Sequence, residues 1–137
     1  MGSHSRGLYK WDSAKAIHSF NEGFYKLKNI PNVKVLKLIK DKAGFIWAGT
    51  ESEGVYKINP ATDAIVEHIT EKGPPGKRIL SGAAALLEYD DSLLLIGGNG
   101  IHIYNRKKNQ IENITAANGL PSDMVVSLEK DRDGYVW

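Results

Sequence analysis

The sequence has no cysteine among its 137 residues, which excludes a disulfide framework and a thiolate metal site. It also lacks a long apolar run: stretches such as residues 92–96 fall far short of the roughly 20 residues that a membrane-spanning helix needs. Neither charge is in clear excess, because 18 basic and 16 acidic residues leave a net charge of +2. This balance argues against nucleic acid and against an anionic membrane surface as partners.

The first residues, Met-Gly-Ser-His-Ser, lack the apolar stretch of a signal peptide, so we expect any export signal to lie outside this sequence. We interpret residues 1–5 as a vector-derived leader that takes no part in the fold. The whole chain is 42% hydrophobic and 25% charged, which is ordinary for a folded domain. The length favours a single domain, which we place at residues 6–137.

The chain repeats one phrase three times: a glycine, alternating apolar residues, and then Asp or Asn. The copies occupy residues 7–12, 54–59 and 100–105, at spacings of 47 and 46 residues. A second phrase, Asp-Lys-Ala-Gly-Phe-Ile-Trp at residues 41–47, returns 90 residues later as Asp-Arg-Asp-Gly-Tyr-Val-Trp at 131–137. A period in the mid-forties made of short strands is typical of β-propeller blades.

We therefore predict an all-β fold of β-propeller blades, each with four antiparallel strands. Two blades are complete, and half blades at residues 6–20 and 124–137 flank them, which makes three blade equivalents. The first blade, residues 33–69, has predicted strands at 33–40, 45–49, 55–59 and 64–69. The second blade, residues 81–114, has predicted strands at 81–89, 93–97, 101–105 and 110–114. The half blades have predicted strands at 8–11, 16–20, 124–130 and 135–137.

The connections carry the usual turn signals. Asp41 is expected to cap its hairpin turn with the side chain, and Gly44 to supply a positive φ. The second blade departs from this pattern, because Leu95 replaces the tryptophan and Ser92 replaces the turn glycine. The basic run 106–108 reads as a solvated hairpin turn, and the connection 21–32 as a short helical turn or hydrophobic cap.

Large and small residues divide the predicted core between them. Trp47 and Trp137 have the size to fill the wedge between adjacent blades. Gly49 and Gly97 suit the crowded region near the channel, where backbones approach closely.

Two segments together resemble the two-component regulator propeller repeat. One is Ile-Trp-Ala-Gly-Thr at residues 46–50, followed by Gly-Val-Tyr at 54–56; the other is residues 118–128 leading into 131–137. The resemblance covers residues 7–137. It implies the periplasmic sensor region of a bacterial hybrid two-component system, anchored in the inner membrane by a longer parent protein. It also implies a non-enzymatic role, with an oligosaccharide or another small molecule as the ligand.

Chemistry-bearing residues are few. Glu51 and Glu53 follow a second strand, and Asn99 sits in a glycine-rich turn, so these three are candidate ligand contacts at the ring face; Trp47 is a fourth, through stacking on a sugar. His18, His68 and His102 fall on non-equivalent strands, which argues against zinc. We expect no catalytic residue, no metal and no cofactor.

Three blade equivalents are too few for a closed ring, since propellers have four to eight blades. The two half blades are complementary, so we expect a homodimer that forms a six-bladed ring with two-fold symmetry. Two alternatives to a sensor module stay open: a propeller lyase or glycoside-active enzyme, which a carboxylate or histidine cluster at the channel mouth would favour, and a structural fragment made to study propeller assembly.

Overall fold

The computed structural model describes residues 2–3, 7–14 and 23–137. Within these ranges the protein is all-β, with three antiparallel sheets and one turn of 3₁₀-helix at Ala116–Asn118. The N-terminal sheet has the order β1 (Gly2–Ser3), β2 (Gly7–Trp11), β3 (Phe24–Lys26). The first blade has the order β4 (Val35–Lys40), β5 (Ile46–Thr50), β6 (Val55–Ile58), β7 (Ile65–Ile69). The second blade has the order β8 (Ala83–Glu88), β9 (Leu93–Gly98), β10 (Gly100–Asn105), β11 (Gln110–Ile114).

Both blades are four-stranded meanders, as the repeat predicts, and their registers match. Gly49 pairs with Val55 in the first blade, and Gly97 pairs with Ile101 in the second. In each blade the innermost strand skips one residue of the ladder, Leu36 in β4 and Ala84 in β8. Such a skipped residue is a β-bulge.

Three apolar layers join the units side by side. The first layer lies between the N-terminal sheet and the first blade and includes Leu8, Tyr56 and Ile58. The second lies between the two blades and centres on Trp47. The third joins the second blade to residues 124–137, the C-terminal hairpin, through Leu128. The order is therefore N-terminal sheet, first blade, second blade, C-terminal hairpin.

The glycine that opens each repeated phrase is required by the backbone. Gly7, Gly54 and Gly100 have φ of 86°, 71° and 88°, a region that L side chains rarely adopt. A Cβ on Gly54 would also lie 2.1 Å from the carbonyl oxygen of Ile69. The repeated phrase thus marks the start of the third strand of each blade and of the equivalent strand β2 in the N-terminal sheet.

The predicted Asp-capped turns are confirmed. Asp41 Oδ1 accepts a hydrogen bond from the N–H of Phe45 at 2.9 Å, and Gly44 has a φ of 93°. Asp131 does the same for the N–H of Tyr135 at 2.9 Å. The second blade closes its turn differently, through Asp90, whose Oδ1 accepts from the N–H groups of the two residues that follow Asp91.

Trp47 fills the space between the blades as predicted, since it is completely buried. Leu95 is also buried in the position that tryptophan holds in the repeat. Trp137 is different: it is 78% exposed, so the prediction that it fills a wedge between blades is wrong for the single chain. The reason is that no described third blade covers the outer side of the C-terminal hairpin.

The N-terminal region also differs from the prediction. The strand predicted at 16–20 lies outside the described residues, and the strand paired with β2 is β3, within the segment expected to be a connection. The cap expected for that connection is represented by Leu27 and Ile30, which are buried, but next to a strand rather than a helical turn. Gly2–Ser3, set aside as leader, forms β1.

The C-terminal hairpin has fewer strand pairings than predicted. Instead of strands at 124–130 and 135–137, it has two isolated bridges, Asn99 to Met124 and Lys130 to Val136. Its first residues bond to the second blade, where the N–H of Val125 donates to the carbonyl oxygen of Gly98 at 2.9 Å. The hairpin therefore splits its backbone hydrogen bonds between two partners.

Candidate functional site

An open cleft of about 560 Å³ lies where the innermost strands and the C-terminal hairpin converge. It combines carboxylate, amide and hydroxyl groups with apolar side chains. Its lining comprises Leu36, Glu51, Ser81, Gly82, Ala84, Gly98, Asn99, Asp123, Met124, Val125 and Val126.

Two of the four residues predicted to contact a ligand, Glu51 and Asn99, line this cleft together. They come from equivalent positions, just after the second strand of each blade. Glu53 is exposed but lies outside the lining of the cleft; its N–H donates to Thr50 Oγ1 at 3.0 Å. Trp47 is buried between the blades, so we do not carry it into the proposed site.

Lys34 holds Glu51 in place through two contacts. Its backbone N–H donates to the carbonyl oxygen of Lys34 at 3.0 Å, and its carboxylate lies 3.1 Å from Lys34 Nζ. This ion pair is partly exposed, so it orients the carboxylate more than it stabilises the fold. One carboxylate edge stays open toward solvent, since the Glu51 side chain is 58% exposed.

Asp123 is the second carboxylate of the cleft, and its oxygen atoms accept hydrogen bonds from the backbone. Its Oδ1 accepts from the N–H of Ala116 at 2.6 Å, and its carbonyl oxygen accepts from the N–H of Gly100 at 2.5 Å. The Asp123 contacts fix the connection that leads into the C-terminal hairpin. They also hold Asn99 and Met124 against each other through the bridge between these two residues.

The floor of the cleft is made of backbone because two glycines allow neighbouring chains to touch. A Cβ on Gly82 would lie 2.0 Å from the carbonyl oxygen of Glu51, and a Cβ on Gly98 would lie 2.1 Å from that of Gly82. The predicted close approach of backbones at Gly49 is confirmed, since its Cβ would meet the Ala83 carbonyl oxygen at 2.5 Å.

Sequence reasoning missed several cleft residues. Leu36, Met124 and Val126 present large apolar side chains to solvent, with exposures of 39%, 77% and 68%. The signal for Leu36 was a break in the alternation of β4, where the bulge lies. Asp123 was not among the predicted ligand contacts, because nothing local shows that its turn lies beside Asn99.

A second polar cluster lies between the blades. Asp41 Oδ2 accepts from Trp47 Nε1 at 2.8 Å and lies 3.6 Å from Arg106 Nη1. The guanidinium also bonds to Glu88 Oε1 at 2.9 Å. The basic run at 106–108 does form the predicted turn, but its arginine is half-buried in this cluster and is not simply solvated.

The Asp–Trp pair of this cluster recurs as a unit. Asp131 Oδ2 accepts from Trp137 Nε1, again at 2.8 Å. In the second blade Tyr89 replaces the aspartate and Leu95 replaces the tryptophan. The acceptor is not needed there, because the leucine side chain has no N–H group that must be hydrogen-bonded. The cluster is therefore a structural device and not a ligand site.

The histidines lie apart. His68 stacks on Tyr56 with ring centroids 3.9 Å apart, and His102 is buried in another blade with Nδ1 2.5 Å from Asn113 Oδ1. Burial lowers the pKa of His102. His18 lies outside the described residues. Across the described ranges there is no group of three or more His, Asp or Glu side chains placed to hold a metal ion.

No protein family and no curated protein matches the chain. Solved structures do. One is the extracellular domain of BT3049 from B. thetaiotaomicron, described as a hybrid two-component system, with a TM-score of 0.79 and 18% identity. Two others are crystal structures of the extracellular domain of BT4673 from the same organism, described as a one-component system in one and a hybrid two-component system in the other; both have a TM-score of 0.73 and 19% identity.

These matches cover 99% of this chain but only 18% of each of those chains. The protein therefore has the fold of a short part of the extracellular domains of signalling proteins. This agrees with the resemblance seen in the sequence. In the described part of the chain, no helix has the length and apolar character to cross a membrane.

Proposed function

We propose that the chain is a non-enzymatic, ligand-sensing part of a two-component sensor, on the periplasmic side of the inner membrane. The cleft that contains Glu51 and Asn99 is its ligand site. The observation that carries this proposal is the meeting of these two side chains in one open cleft, in a fold shared with extracellular sensor domains.

The chemistry of the cleft suits an oligosaccharide or a similar polyhydroxylated molecule. The Glu51 carboxylate accepts hydrogen bonds, whereas the Asn99 amide both donates and accepts. Sugar hydroxyls need both kinds of partner. Leu36 and Met124 add exposed apolar surface against which the C–H face of a sugar ring can pack.

An enzyme is less well supported. A glycosidase needs two carboxylates that flank the scissile bond, and the cleft does contain Glu51 and Asp123. Asp123, however, accepts a backbone hydrogen bond from Ala116, and Glu51 is paired with Lys34. The Asp123 carboxylate thus already has a structural role, so the cleft offers only the Glu51 carboxylate to a ligand and lacks the second free carboxylate that a glycosidase needs.

The proposal is tested by titrating the 137-residue chain with neutral and acidic oligosaccharides, using calorimetry and NMR. Asn99→Ala removes one ligand contact and should weaken binding at least about tenfold, which corresponds to one lost hydrogen bond of about 1.5 kcal/mol. Glu53→Gln is the matched control, because Glu53 is exposed in the same loop as Glu51 but outside the cleft lining. We expect Glu53→Gln to bind normally. Equal losses in the two variants, or no binding by the unaltered chain, would refute the proposed site.

A further inference from the structure

We propose that the apolar cavity between the N-terminal sheet and the first blade receives the C-terminal hairpin of a second copy of this chain. Trp137 of that copy fills the cavity, and two copies close a six-bladed ring. This interaction surface is separate from the ligand cleft, and the proposal does not depend on ligand binding.

The cavity has a volume of about 380 Å³ and is walled mainly by aliphatic side chains. Leu8 of β2 and Leu38, Ile46 and Ile58 of the first blade form its apolar walls, with Lys10 at one side. A space of this size and character beside a sheet calls for a large apolar side chain.

The equivalent space one blade further along shows which side chain that is. Between the first and second blades the space is filled by Trp47, whose ring centroid lies 6.3 Å from that of Tyr104. The strand registers place Leu86, Leu94 and Tyr104 of the second blade where Leu38, Ile46 and Ile58 lie in the first. The cavity therefore corresponds to the space that Trp47 fills between the first and second blades.

Trp137 is the tryptophan that we expect to fill this cavity. Asp131 holds its indole N–H at 2.8 Å, the same contact by which Asp41 holds Trp47. Unlike Trp47, it stands 78% exposed, and the neighbouring Tyr135 is 69% exposed. An oriented but exposed aromatic pair is characteristic of an interaction surface.

The backbone register supports the same assignment. In the first blade Gly49 pairs with Val55, and in the N-terminal sheet Gly2 pairs with Leu8, the residue equivalent to Val55. Gly2–Ser3 therefore stands where Gly49–Thr50 stands in a complete blade. Trp137 of a second copy would enter the same strand line two positions before Gly2, as Trp47 lies two positions before Gly49.

A second copy is favoured over the same chain because the cavity and the hairpin lie at opposite ends of the layer order, with two blades between them. The number of copies follows from ring size. Two chains supply six blades, whereas one or three chains would give a ring outside the usual range of four to eight.

The decisive measurement is the mass in solution, by size exclusion with light scattering. The chain should run at twice its 15.1 kDa mass. Trp137→Ala should weaken the dimer at least about thirtyfold, as expected for a central aromatic contact. Val66→Ala is the control, because Val66 is 53% exposed on β7, away from the cavity, and it should leave the dimer intact.

Cysteine cross-linking tests the register in a chain that has no cysteine of its own. In the repeat, Val136 is equivalent to Ile46, and Trp11 is equivalent to Ile58. Because Ile46 pairs with Ile58 in the first blade, Val136 of one copy should face Trp11 of the other. A mixture of Val136→Cys and Trp11→Cys chains should therefore form disulfide-linked dimers under mild oxidation. Tyr9→Cys mixed with Val136→Cys is offset by two residues and should link poorly.

Three results would overturn the proposal. One is a mass of 15.1 kDa at high concentration, and another is a Trp137→Ala chain that still dimerises like the unaltered chain. The third is a chain carrying both Val136→Cys and Trp11→Cys that links within itself, because the hairpin would then reach its own cavity. Open polymers of increasing mass would equally exclude the closed ring.

Discussion

Removing the carboxylate of Asp41 should destabilise the fold mainly by stranding the indole N–H of Trp47. Asp41 is 3% exposed and accepts from Trp47 Nε1 at 2.8 Å and from the N–H of Phe45 at 2.9 Å. In Asp41→Ala the buried indole N–H has no described acceptor left, whereas Arg106 keeps Glu88 as a partner.

The size of the effect follows from these two bonds. A buried donor without a partner costs about 1–3 kcal/mol, and the lost turn cap adds about 1 kcal/mol. Asp41→Ala should therefore lower the free energy of unfolding by about 2–4 kcal/mol. In a Trp47→Phe background there is no indole N–H, so the same substitution should cost only the turn cap, about 1 kcal/mol.

The assay is urea unfolding of the four chains of this double-mutant cycle, followed by far-ultraviolet circular dichroism. All four are compared at one protein concentration, so that any change in association affects them alike. If Asp41→Ala costs the same with Trp47 as with phenylalanine there, the indole hydrogen bond is not what the carboxylate supports, and the reasoning fails.

Two further predictions concern backbone and protonation. Gly54→Ala should cost well over the about 1 kcal/mol expected for Gly44→Ala, since both have positive φ but only Gly54 would clash, at 2.1 Å from Ile69; urea midpoints decide. Because burial lowers the pKa of His102, its neutral ring contributes fully to the free energy of unfolding above the unfolded-state pKa of about 6.5. This contribution is lost as the pH falls from there through the folded-state pKa. The urea midpoint should therefore drop between about pH 8 and about pH 5, and drop less in His102→Leu.

The blades were predictable because each repeated phrase encodes a backbone requirement. The alternation of residues 54–59, opened by Gly54, predicts a strand entered from a positive φ, and Asp41 with Gly44 predicts a tight hairpin. These signals are local, so they can be read without knowing the neighbours.

The rest depends on contacts that local patterns do not contain. The pairing of β3 with β2 has no local signal in residues 21–32, and the buried Leu27 that follows β3 belongs to the apolar layer against the first blade. In the cleft, Glu51 and Asn99 could be predicted from their equivalent places after second strands. Asp123 could not, because its position next to them is set by a connection between blades.

The bulges at Leu36 and Ala84 separate the surface of the cleft from strand pairing. Each of these residues lies outside the ladder of its inner strand, and each lines the cleft. A change of side chain there alters the cleft without moving the register of the blade. Each blade thus offers one position, 36 or 84, where the surface of the cleft can be varied while the strand register of the scaffold stays constant.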